Sequence, residues 1–116
     1  MPFDRGEVVL VLFPDSNLRT AKRRPALVVQ ATNLQSGVSQ SIVAMITSNM
    51  ARAGHPSRVM VPHASVEGRQ MGLRTDSVIA TDNLATVQDC EVDRSIGSCP
   101  DMLAVDNALR RTLGLI

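Results

Sequence analysis

Short apolar runs rich in β-branched residues, each cut off by turn chemistry, leave this chain little to form except a sheet. Gly6 to Phe13, Pro25 to Ala31 and Ser41 to Thr47 are strands by length and residue type. Their near-continuous apolarity marks them as central and covered on both faces over part of their length. Arg58 to Val61 and Ser77 to Ala80 read as two shorter strands, and Leu84 to Val87 and Val92 to Ile96 as less regular β-segments. Pro14-Asp15-Ser16-Asn17 is turn chemistry, while Asn33 to Gln40 and Ala51 to Ser57 are loops. Val66 to Leu73, with two glycines, is too irregular to be read as a helix.

The C-terminus breaks this pattern. Met102, Val105, Leu109 and Thr112 recur at helical spacing. Pro100 suits the first helical position with Cys99 or Ser98 as cap, Asp101 complements the dipole, and Gly114 is the stop. The tail Leu113-Gly114-Leu115-Ile116 reads as packing against the body. The expected fold is one mainly β domain over residues 1–116, a small bent barrel closed by a C-terminal α-helix.

Composition removes several function classes. With 116 residues, 44% hydrophobic and 20% charged, the chain is an ordered globular domain with one modest core. Its net charge of +1 gives no overall footprint of a nucleic-acid binder, so any anion site must come from local clustering. No apolar stretch approaches a membrane span, and no basic segment leads into an apolar run at the N-terminus. Cys90 and Cys99 make no disulfide framework and read as small half-buried residues; a reducing cytoplasm is the expected location.

No Cys or His pairing has zinc spacing, no carboxylate cluster suits two metals, and no glycine motif cradles phosphate. No metal or cofactor is therefore expected. His55 and His63, each beside a proline, read as loop histidines. Phe3 and Phe13 are the sole aromatics, too few for a module that stacks bases. Single-stranded RNA, if bound, would be held by hydrogen bonds, charge and arginine.

One stretch offers such a site. Lys22-Arg23-Arg24 ends at Pro25, with Arg19 just before. Proline pushes the residue preceding it toward an extended conformation, so Arg24 is expected to be held where a loop becomes strand. Its planar fork of donors matches phosphate oxygens. Thr47 ends another central strand. If the two strands are antiparallel neighbours, Arg24 and Thr47 lie at the same end of the sheet and form a pocket for one phosphodiester.

The ordered motifs resemble the MazF/PemK family of toxin ribonucleases. They are Arg5-Gly6-Glu7-Val8, Arg24-Pro25-Ala26-Leu27-Val28, Val43-Ala44-Met45-Ile46-Thr47-Ser48, Gly72-Leu73, Asp76-Ser77-Val78-Ile79 and Asp82-Asn83-Leu84-Ala85-Thr86-Val87. Ile96-Gly97, Ala108-Leu109 and Leu113-Gly114-Leu115 complete a series that runs nearly end to end. The resemblance implies a compact SH3-like barrel with helical additions, homodimeric, like that of the CcdB and PemK toxins. It implies metal-independent cleavage of single-stranded RNA to 2′,3′-cyclic phosphate and 5′-hydroxyl ends, and inhibition by a cognate antitoxin.

It also carries the catalytic roles onto Arg24 and Thr47, with Arg19, Lys22, Arg23 and Ser48 as RNA-binding candidates. Attack by a 2′-hydroxyl needs in-line positioning and donors for the charge growing on phosphorus, which Arg24 and Thr47 supply. Many members have a Gly-Ser-Glu-Gln-like run before Arg-Pro; here Asn17 to Arg23 stands instead, so cleavage sequence and antitoxin do not transfer. The antitoxin's tail is expected across the Arg19 to Arg24 surface. Asp15, at the start of that loop, either orients Arg24 or begins a turn. Two other readings remain open: a toxin of the same fold that poisons gyrase without cutting RNA, and a member that binds without turnover.

Overall fold

A computed structural model of the chain describes residues 3–14, 17 and 19–116. Six strands run in chain order as β1 (Glu7–Pro14), β2 (Ala21–Val28), β3 (Gln40–Thr47), β4 (Arg58–Val61), β5 (Ser77–Gln88) and β6 (Val92–Ser98). Helix α1 (Val66–Gln70) lies between β4 and β5, and α2 (Leu103–Leu113) closes the chain. The strands form one antiparallel sheet in the order β4-β5-β3-β2-β1-β6.

Alternation along the strands sorts their apolar residues onto two faces. Val8, Leu27, Ala44, Ile46 and Ile79 build one cluster with Met71, covered by Val105 of α2. Val9, Val11, Ala26, Val28, Val43 and Val87 build a second on the opposite face, joined by Phe3, Ala85 and Val92. Two covered faces explain why β1, β3 and the Pro25–Val28 half of β2 read as unbroken apolar runs.

The mainly β class holds, but the sheet is open where a closed barrel was expected. β4 and β6 are its outer strands and do not pair with each other. The segment around α1 rests against β6. A Cβ on Gly97 would run into the backbone of Gln70 and Met71, and one on Gly72 into that of Ile96. Gly72 also has φ +75°, a conformation that favours glycine. Backbone thus packs on backbone at β6, and α1 forms because the Ser65 hydroxyl oxygen accepts the Gly68 N–H at 3.0 Å.

Further boundaries differ from expectation for local reasons. β2 begins at Ala21, because β1 extends to Pro14 and its register recruits Ala21 to Arg24 as partners. The two β-segments expected at Ser77–Ala80 and Leu84–Val87 are one strand, β5, carried past a register shift opposite Ala44 and Met45. Pro100 does not open α2, because the Cys99 N–H is still tied to the Gly6 carbonyl at 2.7 Å. Met102 is the N-cap and gives no side-chain capping bond, while Asp101 Oδ1 just before it accepts the Leu103 N–H at 2.9 Å.

At the other end Gly114, with φ +70°, stops the helix, and Leu115 N–H bonds back to the Arg110 carbonyl at 2.9 Å. That turn leaves Leu113, Leu115 and Ile116 exposed, so the tail is not packed as expected. Cys90 is likewise exposed, lying in the short 3₁₀ turn Asp89–Glu91, whereas Cys99 is half-buried and burial pushes its thiol pKa up. Arg5 anchors α2 to the sheet: its Nη2 meets Asp106 Oδ1 at 2.6 Å while its Nε donates to the Val29 carbonyl at 2.9 Å. No helix among the described residues is long and apolar enough to cross a membrane.

Candidate active site

The cations before Pro25 lie inside β2, not in a loop. Val11 pairs with Arg24, Leu12 with Arg23 and Phe13 with Lys22. Because successive strand residues face opposite sides, Lys22 and Arg24 share the face of Ala26 and Val28, and Arg23 shares the face of Pro25 and Leu27. The expected single cluster is therefore divided. Arg23 places its Nε 3.3 Å from Asp93. Arg19 precedes the strand, exposed, its backbone N–H held by Asn17 Oδ1 at 2.9 Å. Asp15 lies outside the described residues.

β2 and β3 are antiparallel neighbours, as the pocket requires. Ala26 pairs with Met45, Leu27 with Ala44 and Val28 with Val43. Pro25, with no N–H to offer, comes next. The paired register ends at Ala26 and Met45; continued two residues further, it would set Arg24 opposite Thr47, on one face. Thr47 Oγ1 accepts the Asn49 N–H at 3.1 Å, which orients the hydroxyl and leaves its proton for a ligand. Ser48 follows, exposed, just outside β3.

The polar step is flanked by apolar ones. Arg24 pairs with Val11 and Thr47 with Val78, both fully buried. Arg24 itself is exposed and Thr47 half-buried, so both can meet a phosphodiester arriving from solvent.

A further ion pair, not singled out from the sequence, stands on this face. Arg58 of β4 pairs with Ala80, which pairs with Met45, which pairs with Ala26. Its Nε lies 2.8 Å from Asp82 Oδ1 and its Nη2 3.3 Å from Oδ2. Burial pushes the Asp82 carboxyl pKa up, but the hydrogen bond and charge of Arg58, with Ser57, more than offset this and hold it below its ordinary 3.8. The signal available was Arg58 opening an apolar strand; its partner, 24 residues on, is invisible to local pattern. On the exposed surface, His63 Nδ1 meets Asp76 Oδ1 at 2.8 Å. Among the described residues no cluster of His, Cys, Asp or Glu is placed to hold a metal ion.

Comparison with known proteins identifies the family and the fold. The family model described as PemK-like, MazF-like toxin of type II toxin-antitoxin system matches residues 4–113. Endoribonuclease MazF6 of Mycobacterium tuberculosis is 34% identical over 119 residues, spanning 99% of this chain and 100% of that protein. Endoribonuclease MazF2 of Mycobacterium bovis matches to the same extent. Among solved structures, MazE-MazF (Form-III) from Deinococcus radiodurans has a TM-score of 0.76 at 20% identity, covering 100% of both chains. An endoribonuclease in complex with its cognate antitoxin, from Mycobacterial species, has a TM-score of 0.74 at 22% identity, covering 98% of this chain and 97% of that one.

Proposed function

The chain belongs to the PemK-like, MazF-like toxin family of type II toxin–antitoxin systems, and from that premise we propose that it is an endoribonuclease cutting single-stranded RNA under the control of a cognate antitoxin. The observation that carries this reading is the antiparallel β2–β3 register, whose last pair, Ala26 and Met45, lies two residues from Arg24 and Thr47 on the same sheet face.

The chemistry follows from that pair. The 2′-hydroxyl oxygen of one nucleotide forms a bond to the adjacent phosphorus while the bond to the 5′-oxygen breaks. The hydroxyl gives up its proton, the departing oxygen gains one, and the ends are a 2′,3′-cyclic phosphate and a 5′-hydroxyl. Arg24 stabilises negative charge on the phosphoryl oxygens, and Thr47 donates to a non-bridging one. A guanidinium is a poor proton acceptor, so Arg24 serves as donor and charge. Lys22, on the same face, Ser48 and Arg19 extend the surface available to the flanking phosphates. Neither residue of the pair needs a metal for these roles, and activity in EDTA is expected.

The active species is a homodimer in the cytoplasm. The exposed Leu103, Leu113 and Leu115 of α2 and the tail are apolar surface that a second copy could cover. Sedimentation at micromolar concentration tests this, and a monomer would count against it.

The exposed tail favours a second reading, since a gyrase-poisoning toxin of this fold would grip its target with its C-terminus. Incubating the protein with a long single-stranded RNA, and separately with gyrase and supercoiled DNA, discriminates. RNA fragments with gyrase unaffected support the ribonuclease. Gyrase inhibition with intact RNA supports the alternative.

A further inference from the structure

We propose that His63, oriented by Asp76, is the general base that takes the 2′-hydroxyl proton in RNA cleavage. The inference rests on the ribonuclease reading and fills a role that Arg24 and Thr47 leave open, since neither is a ready proton acceptor at neutral pH.

The topology brings the pair to the end of the sheet where the candidate site lies. Thr47, the last residue of β3, pairs with Val78, and Val78 pairs with Met60. Val61 and Ser77 form the next pair, which closes the β4–β5 ladder, and His63 and Asp76 stand just beyond it. Asp76 is thus two residues from the partner of Thr47, and a diagonal neighbour of that kind in a ladder lies about 7–8 Å away. An imidazole bonded to Asp76 and a ribose attached to a phosphate at Thr47 can span that gap together. His55, the other histidine, precedes Arg58 at the opposite end of β4. Its Nδ1 is also engaged, by the Ser57 N–H at 3.1 Å and the Ser57 hydroxyl at 2.7 Å.

Hydrogen bonds set the tautomer of the His63 ring. Asp76 Oδ1 accepts the His63 backbone N–H at 3.1 Å and lies 2.8 Å from Nδ1. Those bonds hold the Asp76 carboxyl below its ordinary 3.8, so it is an acceptor only and Nδ1 carries the proton. The lone pair then lies on Nε2, which has no hydrogen-bond partner among the described residues and is open to substrate on an exposed side chain. Helix α1 packs against the backbone that carries the ring: a Cβ on Gly68 would meet the Pro62 carbonyl and the His63 Cα. The charged groups of the neighbouring segments are Asp76 itself, Arg74, and Glu67 and Arg69 of α1.

In the step, Nε2 takes the proton of the 2′-hydroxyl as its oxygen bonds to phosphorus and the bond to the 5′-oxygen breaks. The imidazolium passes that proton to water and the departing oxygen takes one from water, so the ring ends neutral. Asp76 is a positioning residue, holding the ring and stabilising the imidazolium.

The test is initial-rate cleavage of one defined single-stranded RNA in EDTA, across pH, by wild type, His63→Ala, His63→Asn and Asp76→Asn, with circular dichroism verifying the fold. The asparagine amide keeps a donor toward Asp76 and removes the base. Both His63 variants should lose about 10²-fold or more in kcat with KM little changed. The acid limb of the wild-type pH profile should be absent from both, and added imidazole should restore part of the His63→Ala rate. Asp76→Asn should lose less, about tenfold. A folded His63→Asn that cuts at the wild-type rate, or keeps the acid limb, overturns the inference and leaves the ribonuclease reading standing. Loss in His63→Ala alone makes the pair a structural clamp and overturns it too. A folded wild type that cuts no RNA overturns the ribonuclease reading and the inference together.

Discussion

Ala26 on β2 pairs with Met45 on β3, the last pair of that register, and alternation puts Arg24 and Thr47, each two residues beyond, on the same face of the sheet. One turn of alternation decides the chemistry: Arg23, the next residue, points to the other face of the sheet. Pro25 sits between the pairing and the site, ending hydrogen bonding where a substrate phosphate would enter.

Thr47 acts through its hydroxyl, so its variants should separate by chemistry and not by size. Thr47→Ala is expected to lower RNA cleavage by about 10- to 100-fold, the worth of a hydrogen bond to a charged oxygen. Thr47→Ser should retain most activity, since its oxygen can still accept the Asn49 N–H and donate outward. Initial rates on one defined RNA check this; a serine variant as weak as alanine would place the role in packing.

The Arg58–Asp82 pair gives a pH dependence with a definite sign. Asp82 is held below its ordinary 3.8, so its contribution to stability is present above that value and fades as pH falls through the folded-state pKa. Asp82→Asn should therefore be less stable than wild type at pH 7, and the gap should close in strong acid. Urea midpoints at pH 7 and pH 3 measure it. A gap that widens on acidification would contradict the assignment.

Gly97 permits β6 to touch the segment around α1. Gly97→Ala must push a methyl group into the backbone of Gln70 and Met71 and is expected to cost about 1–3 kcal/mol. Gly54→Ala, with nothing within 4 Å of the added carbon, should change stability by no more than about 0.5 kcal/mol. Equal thermal midpoints for the two would contradict the close approach.

Much of this was legible in residue order. Val8, Val9, Leu27, Val28, Val43 and Ala44 announce buried strands, and Met102, Val105 and Leu109 announce a helix. The condition set for the site, that the strands of Arg24 and Thr47 be antiparallel neighbours, is met. What the chain did not reveal depends on contacts between distant segments. β2 starts at Ala21 because β1 is there to pair with it, and α1 persists beside Gly97 because two glycines let backbones meet. The Arg58–Asp82 and His63–Asp76 pairs arise where separate strands and loops converge, and no local periodicity encodes that convergence.

Arg24 carries the central claim. Long single-stranded RNA should be treated in EDTA with wild type and with Arg24→Ala, and the ends of the fragments identified. The account predicts cutting by wild type with 2′,3′-cyclic phosphate and 5′-hydroxyl ends, reduced about 10²- to 10³-fold in a variant that folds normally. Equal cutting by both proteins, or no cutting by a folded wild type, would contradict it.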